Sequence, residues 1–269
     1  AVDDAFIDLI GDFGATLGTS VDPICPTRRD RKGRDYLSAW VDSFERTRGR
    51  IRRIGAVYVV HRMALGQASR LYRWFLNIGV GSVRFNPLYL EGRARNRQDL
   101  SISPEQYGQF LVELADVWDE DGRRLKVFPL TEYEELARDP KNASATCENR
   151  GDCGFTHIGL LPDGSITNCG RFADTDALRF GNLWSDPFEV ILQSRERVRL
   201  QNRSRYLRGG ECRGCPWWDF CAGGCPCDAW LAFGDPLRKT TWCKARQTIL
   251  ERVVGSRKIK EDEPCGLRC

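Results

Sequence analysis

The stretch Glu211–Trp230 reads E-C-R-G-C-P-W-W-D-F-C-A-G-G-C-P-C-D-A-W and decides how the second half of this chain folds. It holds five of the twelve cysteines of the 269-residue chain, and the first four are spaced C-x2-C-x5-C-x3-C. Intervals this short let several sulfur atoms converge on one metal centre. The stretch therefore predicts a metal-binding segment whose remaining ligands come from elsewhere in the chain.

The composition limits what kind of protein this chain can be. Its N-terminus has neither a basic n-region nor a signal-peptide cleavage site, and no run of about 18 apolar residues predicts a membrane span. The 41 basic and 37 acidic residues nearly cancel, which does not indicate a nucleic-acid-binding protein. Secreted disulfide scaffolds are usually much smaller. We expect a cytoplasmic protein that binds neither membrane nor nucleic acid and whose clustered cysteines hold metal.

Further cysteines extend the metal-binding pattern beyond the opening stretch. Three upstream cysteines have the spacing C-x5-C-x15-C, the last of them within a G-x4-C pattern. One more lies downstream, with 17 residues between it and the fourth cysteine of the stretch. Two four-thiolate sites need eight cysteines, which this array supplies. The eight are Cys147, Cys153, Cys169, Cys212, Cys215, Cys221, Cys225 and Cys243.

Such an array can hold either zinc ions or iron–sulfur clusters. Zinc sites usually combine two C-x2-C pairs, or cysteine with histidine. Here there is one C-x2-C pair, and both histidines, His61 and His157, lie outside the array. A cubane is wider than a single ion and fits longer intervals better. The spacing favours iron–sulfur clusters and leaves a zinc-bound structural module as an alternative.

The first 125 residues alternate strand and helix patterns at intervals of roughly 30 residues, which is typical of βα units in a parallel sheet or barrel. Periodicity and capping residues predict helices at 3–13, 36–46, 68–78 and 104–118, and strands at 15–22, 51–62 and 80–90. Three strands are too few to close a barrel, and the chain does not begin with methionine. We therefore expect further βα units to precede it.

After residue 125 the elements become shorter, and eleven of the twelve cysteines lie there. A hairpin with Asp163-Gly164 at its turn is predicted within residues 155–169. Helices are expected from 186 to about 197 and from 242 to 254. A charged tail follows, which contains Cys265 and Cys269.

The cysteine array resembles the SPASM domain, the C-terminal extension of certain radical S-adenosylmethionine (radical SAM) enzymes. The motif is highly specific: G-x4-C, then C-x2-C-x5-C-x3-C, then a last cysteine after 17 residues. The preceding strands also resemble these enzymes, since G-T-S-V-D at 18–22 is similar to their fourth barrel strand, V-Y-V-V-H-R at 57–62 to the fifth and V-R-F-N-P-L at 83–88 to the sixth. The chain most resembles anaerobic sulfatase-maturing enzymes and related maturases of ribosomal peptides.

This resemblance implies an α/β fold with three parts. Residues 1–125 would be the C-terminal part of a partial (β/α)6 radical SAM barrel, residues 126–254 a small cysteine-rich α+β SPASM domain, and residues 255–269 a charged tail. It also implies interleaved ligands for two auxiliary [4Fe–4S] clusters. The first would use Cys147, Cys153, Cys169 and Cys225, and the second Cys212, Cys215, Cys221 and Cys243.

Three polar residues match the family's S-adenosylmethionine site by position. Ser20 and Asp22 lie at the end of the first predicted strand, and Asn86 lies at the end of the third. Barrel sites form at the carboxyl ends of parallel strands. The resemblance implies cofactor binding for these residues, whereas strand capping, or a turn before Pro87 in the case of Asn86, is the structural alternative.

The chain departs from the family at two points. The C-x3-C-x2-C motif that binds the family's catalytic [4Fe–4S] cluster is absent, and Cys25 alone cannot replace it, so we expect that motif on a preceding segment. Sulfatase-maturing enzymes carry an aspartate after the cysteine that corresponds to Cys169, and this aspartate is proposed to deprotonate the substrate. Gly170 and Arg171 stand there in this chain, which argues against oxidation of serine or cysteine to formylglycine.

The resemblance implies an oxidoreductase that modifies a peptide or protein side chain. A 5′-deoxyadenosyl radical made from S-adenosylmethionine would abstract a substrate hydrogen, giving a crosslink or another oxidation in peptide natural-product (RiPP) maturation. Expected partners are a peptide substrate, with or without a leader segment, and an electron donor such as flavodoxin or ferredoxin. The alternative is a non-catalytic iron–sulfur protein for electron transfer or scaffolding.

Several residues near these motifs have structural expectations. Trp217, Trp218 and Phe220 lie between cluster ligands, where we expect them to shield the metal from water. Cys227 has no ligand role in this scheme and is expected to be buried and inert. His61 is expected to be a core or rim residue of its strand.

Overall fold

The computed structural model describes residues 3–25, 29, 33–139 and 146–255. Within these ranges the chain forms two compact units, one made of residues up to 132 together with 251–255 and the other of residues 133–250. The tail with Cys265 and Cys269, and most of the arginine-rich stretch 28–34, lie outside the described residues. None of the described helices combines the length and the apolar surface that crossing a bilayer requires.

The first unit contains the predicted parallel sheet. Its strands are all parallel, in the order β1-β2-β3-β4. They are β1 Thr16–Ser20, β2 Arg53–Val60, β3 Ser82–Pro87 and β4 Lys126–Phe128. The three strands predicted within residues 1–125 are present. β4 lies just beyond that range and was not predicted, because its three residues are too few to show the alternation by which strands are recognised.

Helices alternate with these strands. They are α1 Asp4–Asp12, α2 Tyr36–Arg48, α3 Ala68–Ile78 and α4 Pro104–Glu120, followed by α5 Leu130–Arg138. The four predicted helices are confirmed, and their ends have local causes. Ser103 and Gln106 form a reciprocal capping box at the start of α4, and Gly79 ends α3 with a φ of 84°.

The two faces of the sheet have different surroundings. Tyr58 of β2 packs on Phe75 of α3 and Phe85 of β3, with ring centroids 6.2 and 5.7 Å apart. The alternate residues of β2, such as Val59, point to the opposite face, which is more exposed. Ser20 pairs with a residue on this face of β2 and Asn86 pairs with Val59, so Ser20 and Asn86 share the open face.

The second unit combines a small antiparallel sheet with short helices. The sheet has the order β5-β6-β7, with β5 Gly159–Leu160, β6 Ser165–Thr167 and β7 Arg179–Asn182. The predicted hairpin is formed by β5 and β6, and Gly164 at its turn has a φ of 80°. The helices are α6 Cys147–Arg150, α7 Cys153–Thr156, α8 Phe188–Leu192, α9 Arg195–Gln201, α10 Arg203–Gly209, α11 Trp218–Cys221, α12 Pro226–Phe233 and α13 Cys243–Leu250.

Two helix predictions in this region need correction. The helix predicted from 186 to about 197 is two helices, because the side chain of Ser194 accepts a hydrogen bond from the N–H of Arg197 and caps α9 as a new start. The final helix predicted to 254 changes after Leu250 into a π-helical turn, Glu251–Gly255.

Candidate metal centres

Five cysteines of the second unit lie in or against one apolar core: Cys227 and the four that the resemblance implies for one cluster. Cys147 begins α6, Cys153 begins α7, Cys169 lies just after β6 and Cys225 immediately precedes α12. Cys153 belongs to the buried core, and the other three pack against it. Cys147 and Cys169 lie close enough to Cys153 that a thiolate at either position would raise the pKa of Cys153. These four cysteines are called the first thiol set.

The other four cysteines of the array share one cavity. Its wall includes Cys212, Cys215, Cys221, Cys243, Trp217 and Trp218. A thiolate at any of the other three cysteines would raise the pKa of Cys212, as expected for sulfurs that face a common space. These four cysteines are called the second thiol set. The second set therefore lines one cavity and the first set shares one core, while the assignment of each set to one cluster stays a prediction.

Burial favours the protonated form of five of these thiols when no metal is bound. It raises the pKa of Cys153 and of Cys212 to about 11, and it also raises the pKa of Cys147, Cys225 and Cys243. Metal is ligated by the thiolate, so binding must displace protons from both sets. Among the described cysteine, histidine and carboxylate side chains, no group of three is arranged to hold a single metal ion.

The charge balance around a buried arginine shows whether the two thiol sets fit metal-bound thiolates. Arg203 is 3% exposed, and its guanidinium donates hydrogen bonds only to carbonyl oxygens among the described residues. Burial lowers the pKa of Arg203, and the opposing charges belong to two cysteines of the first set and two of the second. A buried cation needs nearby negative charge. Cluster-bound thiolates would supply that charge, so the residues present fit such a group at each set.

Two polar side chains contact sulfurs of the first thiol set. Arg171 Nη1 donates to Cys225 Sγ over 3.3 Å and to Asp228 Oδ1 over 2.7 Å. The buried Asn168 donates a side-chain hydrogen bond to Cys153. No role was predicted for Arg203, Asp228 or Asn168. In sequence, Asn168 and Arg171 lie beside Cys169 and Asp228 lies three residues after Cys225, whereas nothing along the chain distinguishes Arg203.

The three residues predicted to bind S-adenosylmethionine lie at the carboxyl end of the parallel sheet, in two environments. Ser20 and Asn86 lie on the open face. Asp22 Oδ2 is 3.1 Å from Nε2 of the buried His61, and Asp22 Oδ1 accepts from two backbone N–H groups of the following loop. Burial raises the pKa of Asp22, but His61 and these N–H groups outweigh it, and the pKa is lowered.

The other residues near these motifs contact neighbouring backbone groups and side chains. Cys227 is fully buried, and its Sγ donates to the carbonyl oxygen of Arg171 over 3.5 Å. His157 Nδ1 lies 2.8 Å from a neighbouring threonine hydroxyl at the surface. Phe220 packs edge-on against Trp217, with ring centroids 6.1 Å apart. Cys25 lies in the loop whose N–H groups bond to Asp22.

Comparison with known proteins points to the same family as the cysteine spacing. Residues 147–216 match the family model of SPASM, an iron–sulfur cluster-binding domain. The serine-type anaerobic sulfatase-maturating enzyme of Klebsiella aerogenes is 24% identical over 229 residues, which cover 84% of this chain and 55% of that protein. The cysteine-type enzyme of Clostridium perfringens is 26% identical over 164 residues, 58% of this chain and 42% of that protein. The chain spans about half the length of the curated relatives it matches.

Solved structures share the fold. Native anSMEcpe with bound AdoMet superposes with a TM-score of 0.78 at 20% identity, covering 97% of this chain and 72% of that one. Streptococcus suis SuiB superposes with a TM-score of 0.58 at 10% identity, covering 89% of this chain and 57% of that one. The predicted resemblance and the predicted fold class, a partial barrel followed by a cysteine-rich domain, are confirmed.

Proposed function

We propose that this chain, which carries a SPASM domain and is homologous to anaerobic sulfatase-maturating enzymes, belongs to a radical SAM maturase that modifies a side chain of a peptide or protein. The observation that carries this proposal is that, of the eight cysteines in the array, four line one cavity and the other four lie in or against one apolar core of the same small unit. Two such sets are what two auxiliary [4Fe–4S] clusters require. The parallel sheet of the first unit supports the proposal further, because its strand ends suit a small-molecule cofactor.

In this proposal each thiol set holds one [4Fe–4S] cluster, and each cluster supplies a one-electron redox centre. Cys221 and Cys225 have three residues between them and serve different clusters, so the loop between them fixes one site against the other. Trp217 and Trp218 exclude water from the second set, and the apolar core does so for the first. Arg203 balances the negative charge of both sets.

S-adenosylmethionine would bind at the carboxyl end of the parallel sheet. Ser20 and Asn86 would contact it directly, because both lie on the open face. Asp22 would act indirectly, by holding the loop after β1 in place with His61. The proposal requires a C-x3-C-x2-C motif in the whole protein outside this chain, and an electron donor such as flavodoxin or ferredoxin. In the reducing cytoplasm, where we place the reaction, the thiols stay available for metal.

The residues after Cys169 support a product other than formylglycine. Gly170 and Arg171 provide no carboxylate at the position where sulfatase-maturing enzymes are proposed to carry their base. The nearby Asp228 is 1% exposed and is held by Arg171 and by the hydroxyl of Thr240. We therefore favour crosslink formation, or another oxidation in RiPP maturation, on a peptide with or without a leader segment.

The test uses the full-length protein, purified without oxygen, loaded with iron and sulfide and reduced with flavodoxin or dithionite. With S-adenosylmethionine and a candidate peptide, it should form 5′-deoxyadenosine together with modified peptide. Loss of two hydrogen atoms from a peptide that does not react with a hydrazine probe would support a crosslink, whereas an aldehyde at serine or cysteine would refute it. A cluster-loaded protein that forms no 5′-deoxyadenosine would favour the non-catalytic alternative, and zinc without sulfide the zinc module.

A further inference from the structure

One arginine outside the two thiol sets bonds directly to a ligand sulfur. Arg171 lies in the 3₁₀ turn Gly170–Phe172, immediately after Cys169. Its Nη1 donates to Cys225 Sγ, 54 residues further along the chain, over 3.3 Å. Arg171 therefore joins the two segments that carry the third and the fourth cysteine of the first thiol set.

Arg171 is anchored at its backbone and at its side chain. Its carbonyl oxygen accepts from the thiol of the buried Cys227. Its guanidinium pairs with Asp228, which is 1% exposed and also accepts a hydrogen bond of 2.9 Å from Thr240 Oγ1. The Arg171 side chain is itself 29% exposed, so without this carboxylate it could turn toward solvent. Asp228 thus keeps the guanidinium beside Cys225.

We propose that Arg171 is a positioning residue that raises the reduction potential of the cluster held by the first thiol set and leaves the other cluster unaffected. This inference rests on the proposed function. A charged hydrogen bond to a ligand sulfur stabilises added negative charge, so it favours the reduced form over the oxidised form. Nη1 carries two N–H groups, so one can serve the sulfur while the other serves Asp228.

The second thiol set has a positive neighbour of its own. Lys239 borders the cavity of that set, and its charge acts on Cys212 and Cys243. Lys239→Met and Arg171→Met remove one positive charge each, beside different sets. Lys239→Met is therefore the matched control for the proposed selectivity.

The experiment is a reductive titration of the iron-loaded protein followed by EPR spectroscopy. Cys153→Ala and Cys243→Ala assign the signals, since each removes a ligand of one set. At the wild-type midpoint of the first-set cluster, Arg171→Met should raise the oxidised-to-reduced ratio about tenfold, which is about 59 mV for a one-electron couple. Arg171→Lys should restore part of this shift, and Lys239→Met should shift only the second-set couple.

Equal shifts of both couples in Arg171→Met, a shift of the second-set couple alone, or no shift would overturn the role of Arg171. If Arg171→Met does not take up the first cluster, Arg171→Gln decides, because it removes the charge and keeps a polar side chain. A wild-type potential in Arg171→Gln would overturn the proposal. Failure of the proposed function looks different: the wild-type protein would take up no iron and sulfide, which would remove the basis of this inference as well.

Discussion

Replacing Arg203 by methionine should destabilise the iron-loaded protein more than the metal-free protein. The guanidinium donates to the carbonyl oxygens of Gly223, Gly224, Pro236 and Arg238. The Gly223 oxygen also accepts from the N–H of Thr240, so the substitution leaves only the other three carbonyls without a donor. One of these carbonyls is buried and two are partly buried. At about 1 kcal/mol each, the low end of the cost of an unmade hydrogen bond, the free energy of unfolding falls by about 3 kcal/mol in either form.

The difference between the two forms comes from charge. Without metal, burial keeps thiols such as Cys153 and Cys212 protonated, so Arg203 is a poorly compensated buried cation and its removal relieves a desolvation penalty. With iron bound the ligands are thiolates, and the substitution removes the cation that balances them. We therefore expect the loaded form to lose more, by an amount on the order of 1 kcal/mol or greater.

Thermal unfolding without oxygen, followed by far-UV circular dichroism, measures both forms. A loss of about 3 kcal/mol corresponds to a fall in Tm of roughly 6–12 °C for a chain of this size. Arg197→Met is the control, because Arg197 also donates to a carbonyl oxygen, that of Leu192 over 2.9 Å, and should lower Tm equally in both forms. An equal shift in both forms for Arg203→Met, or a larger one in the metal-free form, would refute the idea that thiolates balance Arg203.

Three further predictions follow from other parts of the chain. Cys225→Ala should lower the iron and sulfide bound by the two thiol sets to about half by removing the first-set cluster, whereas Cys227→Ala should keep both of these clusters. Loss of the second-set EPR signal in Cys225→Ala would contradict the proposed ligand sharing. Gly164→Ala should destabilise the second unit by roughly 2–3 kcal/mol in chemical unfolding, because a Cβ there would lie 2.1 Å from Trp184 Nε1. The control Gly234→Ala, also at positive φ but facing open space, should cost about 1 kcal/mol, and equal losses would disprove the clash. The lowered pKa of Asp22 means that its ionised form stabilises the fold above the ordinary value of 3.8 and that this stability is lost as the pH falls through the lowered pKa. In Asp22→Asn the free energy of unfolding should therefore fall less steeply than in the wild type as the pH drops below about 4. An unchanged pH dependence would show that the His61 contact does not stabilise the fold.

Elements that depend on near neighbours were predictable from sequence. α4 begins at the predicted residue because its capping contacts join Ser103 and Gln106, three positions apart. The hairpin turn at Asp163-Gly164 is equally local, since Asp163 bonds to the N–H of a residue two positions on. β4 was missed because its three residues become a strand only through pairing with β3.

The sequence by itself determined how many thiols the chain offers and how they are spaced, and hence its capacity for two four-thiolate sites. Only the tertiary structure decided what surrounds those thiols. Arg171 reaches Asp228 across 57 residues, and Arg203 reaches carbonyl oxygens that are 20 to 35 residues away. Because short intervals limit which sulfurs can meet, the spacing of the cysteines predicts which of them can share a site. Compensation of a buried charge depends on which distant segments fold against it, and a buried arginine looks like a surface arginine in sequence.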